Sequence, residues 1–254
     1  MKVKILGSGT SQGVPVIGCS CNVCMSVDRH DKRLRVSILI SIGEENLIID
    51  TGPDFRQQML SAKVNSLEGI LLTHEHNDHI IGIDDVRSFI FRRKTPMPVY
   101  ADARVVQDLK DRFAYAFREN PYPGSPRFDV NVIDTRIPFS VGLFDIQAIR
   151  IYHGQLPILG FRIRNFAYLT DIKTIETAEL KKLKSLDILI ISALQKQAHH
   201  SHATLDEALA LIKQINPRRA FITHLSHRMG RHVDVEKVLP VGVKLAFDGL
   251  ELKV

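Results

Sequence analysis

Three histidines and an aspartate fall within six positions of this chain, His74-Glu75-His76-Asn77-Asp78-His79, directly after the apolar run Gly69-Ile70-Leu71-Leu72. Imidazole and carboxylate together suit zinc, manganese or iron, whereas calcium and magnesium prefer oxygen donors. A buried strand that ends in such a cluster presents it at a sheet edge, where active sites form. The chemistry this predicts is metal-dependent hydrolysis. A second group is as compact: all three cysteines lie in Cys19-Ser20-Cys21-Asn22-Val23-Cys24. An odd number of clustered thiols argues against a disulfide framework. Three thiols this close can converge on one tetrahedral zinc, leaving one position for a distant ligand that spacing alone does not identify.

The elements that must hold these residues recur as a unit, a short apolar strand followed by a metal-competent side chain. Leu47-Ile48-Ile49 leads to Asp50, and Ile70-Leu71-Leu72 leads to the histidine cluster. Ile149 and Ile151 precede His153, Phe166-Ala167-Tyr168-Leu169 precedes Thr170-Asp171, and Ala220-Phe221-Ile222 precedes Thr223-His224. Five such strand ends predict one sheet system whose loops converge on a single site. Between them, residues 204–216 read as a helix: Thr204 and Glu207 form a capping-box pattern, and Leu205, Ala208, Leu209, Ile212 and Ile215 share one face before Pro217. Further helices are expected over residues 81–91 and 104–117. Residues 120–127 hold three prolines and a glycine and read as a loop. Whether the surrounding segment 92–130 is a lid, a substrate-gripping arm or a peripheral excursion is left open.

The chain of 254 residues shows no linker or repeat and reads as a single domain over residues 1–254. No apolar run approaches the roughly 18 residues needed to span a bilayer. The start, Met1 to Leu6, runs into Gly7-Ser8-Gly9, too short an apolar stretch for a signal peptide, so a cytoplasmic location is expected. A net charge of +6 suits an anionic, phosphate-bearing substrate. The basic residues are too scattered for a nucleic-acid stripe, the densest groups being Arg92-Arg93-Lys94 and Arg218-Arg219. Gly7-Ser8-Gly9-Thr10-Ser11-Gln12-Gly13 lacks the third glycine of a dinucleotide fingerprint and reads as a loop whose backbone can approach the site. Ser192 sits in no nucleophile elbow.

In the order Asp50-Thr51-Gly52, His74-x-His76-x-Asp78-His79, His153, Asp171 and His224, the sequence resembles the metallo-β-lactamase superfamily over nearly its whole length. The resemblance implies an α/β fold, an αββα sandwich with two metals at the loop edge. It implies that His74, His76 and His153 bind the first metal and that Asp78, His79 and His224 bind the second. Asp171 then bridges the two, and Asp50 supports the site by hydrogen bonding. Among branches, the sequence is similar to the phosphodiesterases, and within them to the phosphoribosyl cyclic phosphate phosphodiesterases of phosphonate metabolism. That branch implies a structural zinc held by Cys19, Cys21, Cys24 and His227. It also implies two catalytic zinc or manganese ions and cleavage of a small, cyclic phosphate ester by a hydroxide bridging them. Asp78 and His202 are the residues placed in catalysis. His202 is preferred over His199 and His200 for its spacing to Thr204, as a proton donor or charge stabiliser of near-neutral pKa. Two other relatives remain open: a tRNase Z-like ribonuclease and a non-hydrolytic accessory protein like pyrroloquinoline-quinone biosynthesis protein B. A small phosphate-ester substrate is expected over nucleic acid, with no membrane partner, and a homodimer is compatible with the sequence.

Overall fold

The computed structural model describes residues 1–254. Strands β1 (Lys2–Gly7), β2 (Ser37–Ile42), β3 (Glu45–Ile49), β4 (Gly69–Leu71), β5 (Met97–Ala101) and β6 (Phe128–Val132) belong to a first sheet. A second sheet is made of β7 (Phe139–Val141), β8 (Phe144–His153), β9 (Leu156–Ile163), β10 (Phe166–Leu169), β11 (Thr174–Ile175), β12 (Ile188–Ser192), β13 (Arg219–Thr223) and β14 (Val243–Leu245). The last strand, β15 (Glu251–Lys253), returns to the edge of the first sheet beside β1. Each sheet is mixed. The first runs antiparallel from β15 through β3 and parallel from β3 to β6; the second runs antiparallel from β11 to β10 and parallel from β10 to β14.

The parallel halves need crossovers, and the helices supply them. These are α1 (Phe55–Ala62), α2 (Asn77–Ile80), α3 (Arg87–Arg93), α4 (Ala103–Arg112), α5 (Thr177–Leu180), α6 (Leu205–Ile215) and α7 (His232–Glu236). Three apolar layers of nearly equal size, with 23, 23 and 21 buried residues, separate four layers of structure, so the architecture is an αββα sandwich. The strands show why their sequences are continuous apolar runs. Leu47 and Ile49 of β3 enter the layer between the sheets while Ile48 enters the layer under the helices. In β12, Ile188 and Ile190 face one layer and Leu189 and Ile191 the other. Both faces are buried, so alternation of residue type disappears while alternation of direction remains.

The expected single sheet system is therefore two facing sheets whose strand ends share one rim. The helix at 204–216 appears as α6, with Thr204 Oγ1 accepting from Glu207 N at 3.2 Å and Glu207 Oε2 accepting from Thr204 N at 2.8 Å. Two other helices are shorter than the periodicity predicts. Residues 81–91 divide into a 3-10 turn, Ile81–Val86, followed by α3, because Gly82 packs directly on the backbone of Gly52. Residues 104–117 begin one residue early, where Asp102 caps Arg104 N at 3.1 Å. That helix ends at Arg112, where Phe113 leaves helical geometry, and a 3-10 turn follows at Ala114–Ala116. Residues 120–127 carry no helix or strand, as expected. No helix is long and apolar enough to cross a membrane.

Candidate metal centre

Five strand ends meet at one rim, β3 and β4 from the first sheet and β8, β10 and β13 from the second. Asp50, Asp171 and His224 each follow a strand and each adopt left-handed backbone geometry, with φ of 66°, 56° and 57°. Such geometry costs a non-glycine residue about 1–3 kcal/mol and persists only where its surroundings enforce it. Here three site residues turn the chain sharply off the sheet. All three are buried.

Asp50 organises the first-sheet side. His79 Nδ1 donates to Asp50 Oδ2 at 2.7 Å, and Thr73 donates to the same carboxylate through its backbone N at 2.8 Å and its hydroxyl at 2.9 Å. With Nδ1 engaged, His79 Nε2 lies 3.3 Å from Asp78 Oδ2 and 3.3 Å from Asp171 Oδ2. Burial opposes charge on His79, yet Asp78, Asp171 and Asp50 together hold its imidazole well above the usual value. Burial likewise works against Asp78 and Asp171, but His79 and His224 hold both carboxyls far below the usual range. Burial and His79 push His74 well below its ordinary value.

Asp171 joins the halves. His224 Nε2 lies 3.1 Å from its Oδ1, and Thr170 donates to its Oδ2 at 2.6 Å. On the other flank His153 Nδ1 donates to the Asp171 carbonyl at 3.1 Å, so its Nε2 is left for another partner. His74 Nε2 and His76 Nδ1 are 3.0 Å apart, and the His76 and His153 rings are 5.3 Å apart by centroid. Three donor sets, each with atoms within 4.8 Å of one another, share these residues: His74, His79 and Asp171; Asp78, His79 and His224; and His153, Asp171 and His202. Asp171 belongs to two of them and His79 to two. His76 joins none; it is exposed at the open side of the cluster beside His74 and His153.

These residues fit divalent metal. His79 Nε2 and both nitrogens of His224 are buried without a hydrogen-bond partner. A buried unpaired polar atom costs about 1–3 kcal/mol. Two of them, His79 Nε2 and His224 Nε2, face the carboxylates of Asp78 and Asp171, a donor set that a cation satisfies. His202 is the one of its three-histidine segment brought to the centre, its ring 4.3 Å from His153 and 4.9 Å from His224, whereas His200 is exposed. Burial and the neighbouring His224 push the pKa of His202 down, to about 3.

The cysteines form a separate centre. His227 Nδ1 lies 3.3, 3.4 and 3.5 Å from the sulfurs of Cys19, Cys21 and Cys24. Tetrahedral zinc with bonds of about 2.3 Å to sulfur and 2.0–2.1 Å to nitrogen gives an N···S edge of about 3.5 Å. One ring nitrogen cannot hydrogen-bond three thiols at once, so the match to that edge is evidence for a shared ion. Backbone N–H groups of Cys24 and Val16 point at Cys21 and Cys24 sulfur, each at 3.4 Å. The Cys24 N–H lowers the Cys21 thiol to about 6, while burial raises Cys24 to about 11. The glycine-rich segment at 7–13 approaches the site as expected: Leu225, next to His224, donates to Ser8 O at 2.9 Å and accepts from Thr10 N at 3.2 Å.

Several residues here were not singled out by sequence reasoning. Thr73 and Thr170 tie the acids and histidines together, and the signal was a threonine immediately before His74, Asp171 and His224. Gly52, read in the sequence only as part of the Asp50-Thr51-Gly52 turn, is packed tightly: a Cβ there would meet the Asp78 carbonyl at 2.1 Å, and a Cβ on Gly82 would meet the Gly52 carbonyl at 2.1 Å. Gly52→Ala should therefore displace α2 and Asp78, costing about 1–3 kcal/mol or more. Thermal unfolding and metal content should fall together, and an unchanged melting temperature would refute the close-packing account.

The family described as "Beta-lactamase superfamily domain" matches residues 45–225, and the chain belongs to it. A solved structure described as a new diphosphatase from the PhnP family is 36% identical, with a TM-score of 0.93, covering 99% of this chain and 96% of that one. An octanoyltransferase of Porphyromonas gingivalis is 44% identical over 253 residues, 99% of this chain and 51% of that protein. Zn(2+)-bound PqqB from Methylobacterium extorquens shares the fold at 17% identity, with a TM-score of 0.82 over the full length of both chains. The chain spans about half the length of the curated relatives it matches.

Proposed function

We propose that this protein is a metal-dependent hydrolase that cleaves a phosphodiester in a small molecule, a cyclic ribose phosphate being the best-suited form. The observation that carries the reading is Asp171, a buried carboxylate with one oxygen toward His224 and the other toward His79. His74, His76 and His153 would hold one ion, Asp78, His79 and His224 the other, and Asp171 both. Two such ions, zinc or manganese, supply Lewis-acid stabilisation of phosphoryl oxygens and water of lowered pKa. The protein's own part is orientation. Asp50 fixes His79 through Nδ1, Thr170 fixes the Asp171 carboxylate, and the Asp171 carbonyl fixes His153. His202, beside His153 and His224, would offer an N–H to the oxygen that gains negative charge.

The likeness to a PhnP-family diphosphatase supports phosphoryl chemistry. The octanoyltransferase name belongs to a protein about twice as long, of which this chain matches 51%. The test is a side-by-side assay of ribose cyclic phosphate, a linear dinucleotide, a nucleoside diphosphate ester and precursor tRNA, using manganese- or zinc-loaded protein. The cyclic ester should be cleaved fastest. Preference for the diphosphate or tRNA would move the substrate assignment, and inertness toward all four with both metals bound would favour an accessory role.

A further inference from the structure

We propose that Arg104 is a positioning residue for the His74–His76–His153 half of the site, acting through Glu75. The proposal rests on reading those histidines as metal ligands. Glu75 stands between His74 and His76 in the chain, and its Oε1 accepts from Arg104 Nη1. The second oxygen, Oε2, is buried and has no hydrogen-bond partner, so the arginine is the group that balances this carboxylate. The other arm of the guanidinium, Nη2, donates to the Pro157 carbonyl at 2.7 Å. Pro157 lies in β9 opposite Tyr152, and the neighbouring pair is Leu156 with His153. One side chain thus grips the ligand loop of the first sheet and the His153 hairpin of the second.

Nearby contacts show that this is where the sheets are fastened. Leu159 N donates to Thr73 O at 3.0 Å, one residue before His74. Arg150 of β8 pairs with Asp102 at 2.7 Å, and Asp102 is the residue that caps the first turn of α4 carrying Arg104. The helix is therefore fixed to the second sheet before its arginine reaches back to the first. A planar guanidinium serves two acceptors at a set angle, which an ammonium cannot do. Groups that orient ligands in this way typically set metal affinity within a factor of about 10–100.

The experiment is metal retention after dialysis against graded chelator, for the full chain loaded with zinc. Arg104→Ala should release one metal at about 10–100-fold lower chelator strength. The Cys-cluster zinc should stay, and the unfolding temperature should fall only as far as the loss of that one ion requires. Arg104→Lys should recover part of the affinity, because it reaches one acceptor but not both. Glu75→Gln should resemble Arg104→Ala, and the double variant should be no worse than either single one. Unchanged retention in Arg104→Ala, or equal loss of all metals together with a lower unfolding temperature, would overturn the positioning role. A wild type that holds metal only at the cysteines would instead sink the proposed function, without need of any variant.

Discussion

Asp171→Asn should lower turnover by about 10²–10⁴-fold while leaving the protein folded. Asparagine keeps the shape and one acceptor oxygen, so the Thr170 hydrogen bond can persist. What it removes is a buried negative charge facing His224 at 3.1 Å and His79 at 3.3 Å. Breaking such a buried charged set costs about 3–5 kcal/mol, and each 1.36 kcal/mol is tenfold in rate. The loss should be visible first as metal: the variant should retain fewer ions at the His/Asp site, with the cysteine zinc unchanged. Asp50→Asn is the control. Asp50 touches His79 Nδ1 rather than the side facing the carboxylates, so its effect should stay within about 10–100-fold. If Asp171→Asn keeps turnover within tenfold of wild type, or loses no more than Asp50→Asn, Asp171 does not join the two halves.

How much of this was legible beforehand depends on what kind of information each feature needs. The apolar run Phe166 to Leu169 is strand β10 to the residue, because a strand buried on both faces leaves no doubt in composition. Helix α6 was equally plain, since its start is written in two side chains, Thr204 and Glu207, that bond to each other's backbone. The helix expected over 81–91 was not, because its break is caused by Gly52, thirty residues earlier, whose closeness to Gly82 is a tertiary fact. The same holds at the site. Residue type and order brought out the histidines and aspartates now found at the rim and the three cysteines, while His227 as their fourth partner came only from the family resemblance. Nothing in the letters showed that Asp50, Asp171 and His224 would take left-handed backbone geometry, since only glycine advertises it. Nor could spacing show that His202 would be half-buried between His153 and His224. Arg104 was equally hidden, as its acceptors lie on two different sheets.

The cysteine centre carries the second large expectation. Its own apolar support is three buried residues, Val14, Val23 and Cys24, far too few to hold a loop without another constraint. Cys24→Ser should lose about one zinc per chain. The cost should be on the order of 4 kcal/mol, or roughly 8–16 °C in unfolding temperature. Because Cys24 is the buried thiol raised to about 11, zinc uptake should release its proton, and retention should weaken as pH falls and protons compete for the sulfurs. The effect should also reach the catalytic rim. His227 is three residues after His224, on a 3-10 turn capped by Ser226, and Leu225 between them is pinned to Ser8 and Thr10. Releasing His227 frees the far end of that short segment, so His224 should hold its ion less tightly and turnover should fall with the zinc. Zinc content unchanged in Cys24→Ser would remove the metal from the cysteine centre altogether. Zinc lost with turnover intact would show that the strand end at β13 and the contacts of Leu225 position His224 without help from the cysteines.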